Sequence, residues 1–219
     1  MVTAVKKSPT DYYFRLALAL GIFTVVYNLL EGLVSLYFGI SDETLALFGF
    51  GVDSFIEVAS GLGIVAMLLR IRQNPETPRS EFEKTALRIT GFSFYVLAVG
   101  LILTVILNLV TGHKPTTTLP GALISIVSIA VMWALVAAKR KAGRALNSAP
   151  ILADANCTLT CIYMSVVLLA ASLIYQLTGW GFIDSLGALG LVYFSYQEGR
   201  EAFEKAAGLE CDCEEECHP

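Results

Sequence analysis

Six long apolar stretches fill most of the chain and fix the kind of fold it can adopt. They cover roughly 13–38, 44–69, 86–110, 120–138, 151–177 and 182–197. A helix rises 1.5 Å per residue, so about 20 residues cross ~30 Å of hydrocarbon, and most of these stretches are long enough. The sixth is short and is expected to continue toward Ala202. Within a bilayer the backbone must satisfy its own polar groups, which dictates helices. At 55% hydrophobic and 16% charged residues, the chain is too apolar for a soluble domain of this size. The expected fold is an all-α membrane protein, a six-transmembrane-helix bundle over residues 1–208. An acidic, Cys-containing tail over 209–219 is expected to be disordered without metal. No cleavable signal is expected, because the polar run Met1 to Asp11 leads straight into a full-length span.

Charge placement sets the orientation. The basic residues fall at Lys6, Lys7 and Arg15; at Arg70, Arg72, Arg79, Lys84 and Arg88; at Lys139, Arg140, Lys141 and Arg144; and at Arg200 and Lys205. Six crossings put all four groups on one side, fourteen of the fifteen Lys and Arg residues, with Lys114 opposite. The positive-inside rule then makes both termini cytoplasmic. The net charge of −4 reflects the acidic tail Glu210–Glu216 and says little else. No basic patch is interleaved with exposed aromatics, so nucleic acid is not an expected partner.

Two short constellations carry the chemistry. Asp53-Ser54-Phe55-Ile56-Glu57 lies in the second stretch and Cys157-Thr158-Leu159-Thr160-Cys161 in the fifth. Each places two metal-binding side chains at i and i+4, one turn apart on one helical face. A carboxylate pair in hydrocarbon is costly and needs a partner, and no basic residue is expected inside the helices to supply one. A bound cation or protons would neutralise it. Paired small thiols can instead simply pack, but Asp53, Glu57, Cys157 and Cys161 together suffice to enclose one divalent cation. The second and fifth helices are antiparallel, which is expected to set Asp53 against Cys161 and Glu57 nearer Cys157.

Other polar residues fit a helix-packed interior. Asn28, Glu31 and Ser35 share a face of the first helix, and Glu31 is expected to hydrogen-bond across to another helix. Gly49, Gly51, Gly61 and Gly63 would allow close backbone approach along the second. His113 is expected to be an exposed loop residue. In the tail, Cys211, Cys213, Cys217 and His218 bring three thiols and an imidazole together on the reducing side of the membrane. Metal capture explains that density better than disulfides do; the bland alternative is an acidic solubilising tail.

The run Glu31-Gly32-Leu33-Val34-Ser35, then Thr44-Leu45-Ala46-Leu47 and Gly51-Val52-Asp53-Ser54-Phe55-Ile56-Glu57, resembles the cation diffusion facilitator family. Leu152-Ala153-Asp154-Ala155-Asn156-Cys157 through Cys161 is similar to that family's Ala-Asp-x-x-His-x-x-x-Asp element. Trp180-Gly181-Phe182-Ile183-Asp184-Ser185 is similar to the Asp-Pro entry of its sixth helix. The resemblance implies a four-ligand transport site on Asp53, Glu57, Cys157 and Cys161, and a homodimer. It also gives Asp154 a supporting or proton-handling role outside the quartet; Glu31 is a candidate for the same role on its own account, because a carboxylate within the first helix still needs a partner. The departures are Glu57 in place of Asp, two Cys in place of His and Asp, and no ferredoxin-like cytoplasmic domain after the sixth helix. The reading is of a short divergent branch.

Two thiolates and two carboxylates suit Zn²⁺, with Cd²⁺ a close mimic. Mg²⁺ and Ca²⁺ prefer all-oxygen shells, and Cu⁺ or Hg²⁺ would use the sulfurs and leave the carboxylates idle. Thiols must deprotonate to ligate, so protons and metal compete. The expected function is export of a divalent transition metal from the cytoplasm by proton-coupled alternating access, in a plasma or bacterial inner membrane. No prosthetic group is expected. An intramembrane hydrolase has little support, since no His lies in a span; the chain is not expected to be an enzyme. The alternative is a membrane metal binder, sensor or partner subunit that captures ions without moving them.

Overall fold

A computed structural model describes residues 9–42, 44–73, 81–111 and 114–208. Every regular element among them is a helix: α1 Pro9–Ser41, α2 Leu45–Gln73, α3 Glu81–Thr111, α4 Leu119–Leu146, α5 Ala149–Thr178 and α6 Phe182–Ala207. Each apolar stretch has become one helix, and each helix runs past the stretch that predicts it. The residues 74–80, His113 and the tail Cys211, Cys213, Cys217 and His218 lie outside the described residues.

Local chemistry stops the helices where the sequence turns polar or small. Asn147 ends α4 in the left-handed conformation (φ 47°), and Ser148 then leads into α5 with a Pro in its first turn. Gly179 (φ 66°) closes α5, its N–H donating to the Tyr175 carbonyl at 2.7 Å. Gly208 (φ 84°) closes α6 at the place where its residue type leads one to expect an end. Left-handed backbone costs glycine little, because it has no Cβ.

Five helices contain spans long and apolar enough to cross a bilayer: Tyr12–Ser41, Leu45–Arg70, Leu87–Thr111, Leu119–Leu146 and Asp154–Thr178. α6 falls short of that measure, being charged from Glu198 onward. It nonetheless lies antiparallel along the whole of α3. Asn108 near the end of α3 donates to Ser185 at the start of α6 at 3.1 Å. At the other end Gly91 meets Gly199 so closely that a Cβ on Gly91 would sit 3.0 Å from the Gly199 carbonyl oxygen. The chain is an all-α, multi-pass membrane bundle.

α1 packs along α2, α4 along α5 and α3 along α6, while α2 also touches α5 and α6 in the middle. The α1–α2 crossing is tight at Gly51, where a Cβ would fall 2.8 Å from the Leu36 nitrogen. Large apolar side chains such as Leu30, Phe92, Leu107 and Trp133 face outward. The interior combines large apolar side chains such as Leu47, Met164 and Leu168 with small and polar groups, Asn28, Ser35, Asp53, Ser54, Ser125, Ser128 and Ser165 among them. Lipid is as apolar as leucine, so close packing and hydrogen bonds hold such helices together.

The three connections α1–α2, α3–α4 and α5–α6 gather at one end. Thr116 N–H donates to the Asp42 carbonyl at 2.9 Å, and the Tyr175 hydroxyl to the Pro115 carbonyl. Buried Asp184 of α6 caps α2 from a distance, accepting from Leu45 N–H at 2.7 Å and Ala46 N–H at 3.2 Å. These amides open α2 and have no partner within their own helix. Asp184→Ala is expected to lower stability by about 1–2 kcal/mol, at the upper end for a cap because the orphaned amides stay buried. Thermal unfolding in detergent measures it, with Leu186→Ala on the outward face as the control.

Candidate metal centre

The carboxylates of α2 face inward because their helical stripe does. Asp53 is 2% exposed, and Ser54 and Phe50 are buried beside it. Glu57 follows one turn later. Its Oε2 accepts from Asn28 Nδ2 of α1 at 2.7 Å, and its Oε1 takes a very short contact from the Cys161 thiol of α5. Asp53 Oδ1 and Asn28 Oδ1 are buried and have no hydrogen-bond partner. Buried oxygens are nearly always partnered, so an orphaned carboxylate oxygen one turn from Glu57 is suited to a cation or to a proton. Glu57, Glu198 and Glu31 all act electrostatically on Asp53. Carboxylates crowded at this depth repel one another until positive charge arrives.

Glu31 closes the set on the α1 side. It accepts from the Tyr27 hydroxyl at 2.9 Å and from Ser54 Oγ of α2 at 3.2 Å, the cross-helix bond expected of it. Ser165 and Ser128 bond to each other at 2.9 Å between α5 and α4.

α5 sits in a different register from the one expected. Glu57, not Asp53, meets Cys161, and the Cys157 thiol turns toward α6. The two alternatives differ by one helical turn, about 5.4 Å, which is within the error of any span boundary read from hydropathy. Cys157 Sγ accepts from Lys205 Nζ at 2.9 Å. Its neighbours there are Glu198 and Glu201, whose carboxylates and the thiol offer ligand atoms all within 4.8 Å of one another. So the structure brings Glu57 and Cys161 into contact, with Asp53 on the adjacent turn, and sets Cys157 one turn inward at the α6 boundary.

Asp154 points away from the quartet. Its Oδ2 pairs with Lys139 Nζ of α4 at 2.9 Å, and the same ammonium donates to Thr158 Oγ1 at 2.9 Å. Lys139 is 2% exposed, which corrects the expectation that no basic residue lies within the bundle. The reason is the length of α4: the helix continues to Leu146, and Lys139 shares a buried stripe with Leu135, Val136, Ala142 and Gly143. Its charge also bears on Glu57. The signal was present as helical spacing across the boundary, but a hydropathy window reads Lys139 as the start of a loop. Tyr27 and Lys205 were equally unmarked, since each acts through a contact between helices distant in sequence.

The geometry is that of a buried polar cluster in which α1, α2 and α5 meet through Asn28, Glu57 and Cys161, with Cys157 joining α5 to α6. The family model for the cation efflux transmembrane domain matches residues 21–208. The chain belongs to the cation efflux family. It is accordingly a multi-pass membrane transporter of metal cations, in a family of transporters and not of enzymes. A search of curated proteins finds no match. The matched segment includes all four residues of the quartet, together with Asp154, Lys139 and Lys205.

Proposed function

We propose that this protein exports Zn²⁺ from the cytoplasm in exchange for protons, with Cd²⁺ as a close substitute. The supporting observation is the contact between Glu57 and Cys161 beside the unpartnered Asp53 oxygen. Asp53, Glu57 and Cys161 supply a carboxylate–carboxylate–thiolate set, and Cys157 becomes the fourth donor when its thiol leaves Lys205. Mixed oxygen and sulfur at four-coordination suits Zn²⁺ and disfavours Mg²⁺ or Ca²⁺.

Exchange follows from competition for the same atoms. In the inward-facing state the carboxylates and thiols release protons as metal binds. In the outward-facing state protons return to them and expel the ion. Asn28 and Tyr27 orient the carboxylates, and Lys139 pairs with Asp154 between α4 and α5. Residues 1–208 form the transport unit in this reading, with both termini cytoplasmic. The tail thiols Cys211, Cys213 and Cys217 with His218 gather metal for it. A homodimer in a plasma or bacterial inner membrane completes the assignment, on the strength of the family resemblance.

The test is Zn²⁺ uptake into proteoliposomes with and without an imposed pH gradient. Uptake that accelerates when the lumen is acid, and that is accompanied by proton efflux, is the expected result. Gradient-independent uptake would remove the proton coupling. Metal binding without any flux would favour a binder or sensor.

A further inference from the structure

We propose that Cys157, Glu198 and Glu201 form a second cation position on the inner side of the transport site, and that the Lys205 ammonium occupies it until a metal ion arrives. The inference rests on the reading above that the cargo is a divalent transition metal, and it assigns that cargo a place before it reaches Asp53, Glu57 and Cys161.

The argument begins with spacing. Glu198, Glu201 and Lys205 stand at i, i+3 and i+7 on α6, which puts them on one face. That face meets α5 at Cys157. One ligand atom from each of Cys157, Glu198 and Glu201 lies within 4.8 Å of the others. A metal with bonds of about 2.0–2.3 Å spans such separations after a small inward movement of the side chains. The donors are a thiol and two carboxylates from two helices, the same classes as in the transport site. The Thr160 hydroxyl orients Glu198 from α5.

A second observation says that the position takes a cation. Lys205 Nζ lies 2.9 Å from Cys157 Sγ and 3.1 Å from Glu201 Oε2. A thiol is a poor acceptor for an ammonium, and the half-buried pair with Glu201 already gives Lys205 a carboxylate partner. Lys205 reaches past its i+4 partner into the donors of another helix. The chain therefore supplies its own positive charge between a thiol and a carboxylate, where metal ligands converge. An arriving ion must displace that tethered charge, and Lys205 returns when the ion moves outward. Cys157 is the hinge of the transfer, because it is adjacent to Cys161 on the α5 face and is shared by both positions in turn.

The experiment uses the full chain with Cys211→Ser, Cys213→Ser and Cys217→Ser, plus Asp53→Asn and Cys161→Ser to disable the transport site. Cys157 is then the sole thiol among the protein's five cysteines, so any cadmium–thiolate ultraviolet band reports on it alone. Titration with Cd²⁺ in detergent is expected to give one such band. Glu198→Gln with Glu201→Gln is expected to weaken Cd²⁺ binding by about tenfold or more. Lys205→Met is expected to strengthen it by about fivefold, since a competing charge is gone. A gain in affinity cannot come from misfolding, so this variant decides the matter even where the double Gln variant is unstable. Lys205→Met with unchanged or weaker binding overturns the proposal, as does a band indifferent to both glutamates. Proteoliposome flux on the unmodified chain is read separately. Flux without the Cys157 signature sinks this inference alone, and the signature without flux sinks the transport reading.

Discussion

Replacing Asp53 with alanine is expected to abolish metal flux while leaving the metal-free protein as stable as before, or more stable. The two halves of that result have one cause. Asp53 is 2% exposed, and its Oδ1 accepts no hydrogen bond. Glu57, Glu198 and Glu31 surround it electrostatically. In the absence of a cation this carboxyl contributes desolvation and crowding with little to offset them, so removing it relieves the bundle. With a cation present the same oxygen becomes a ligand. Loss of groups that only support a ligand already lowers metal affinity by about 10–100-fold, so loss of the ligand itself is expected at or beyond the upper end. Zn²⁺ flux in proteoliposomes and thermal unfolding in detergent give the two readings. A variant that loses flux and also several degrees of stability would make Asp53 a structural residue. One that retains flux would move the site toward the thiols.

Lys139→Met is expected to act in the opposite sense, through stability. The Lys139 ammonium is buried between Asp154 Oδ2 and Thr158 Oγ1, each at 2.9 Å, and the Asp154 side chain is 15% exposed. Removing one member of a buried pair strands the other charge, which costs about 3–5 kcal/mol. For a chain of this length that corresponds to a fall of roughly 6–20 °C in the unfolding midpoint. The double variant Lys139→Met, Asp154→Leu removes both charges together and is expected to recover most of the loss. A double variant no more stable than the single would show that Lys139 is held by something other than Asp154. Flux measured on the double variant then tells whether Asp154 handles protons or only anchors α4 to α5.

The sequence was most readable where a property accumulates over twenty residues. Apolar runs predict six helices because the cost of burying polar groups in hydrocarbon is summed over the run. The carboxylates of Asp53 and Glu57 were legible for the same reason, as each is conspicuous against lipid, while Cys161 stood out only through its i, i+4 spacing from Cys157. Relations between helices were not legible. Whether Glu57 or Asp53 meets Cys161 is decided by a slide of one turn between α2 and α5, which neither helix's own spacing encodes. Lys139 shows the second limit. Averaged hydropathy places it in the basic run Lys139–Arg144 beyond the span, but only its own helical face determines whether it meets solvent or Asp154. The direction of the Cys157 thiol is a rotamer, and nothing in the spacing Cys-x-x-x-Cys distinguishes the rotamer facing α2 from the one facing Lys205.

The carboxylate of Asp184 fixes the start of α6 to the start of α2, and a rod fixed at one end is a lever. From this pivot Glu57 lies about 18 Å along α2, and Lys205 about 31 Å along α6, at 1.5 Å per residue. A tilt of roughly ten degrees therefore carries Glu57 by about 3 Å and Lys205 by about 5 Å, while the pinned ends barely stir. The difference is close to the length of a coordination bond. Leverage alone makes the far end of α6, where Lys205 meets Cys157, the part that a small rotation about Asp184 displaces most.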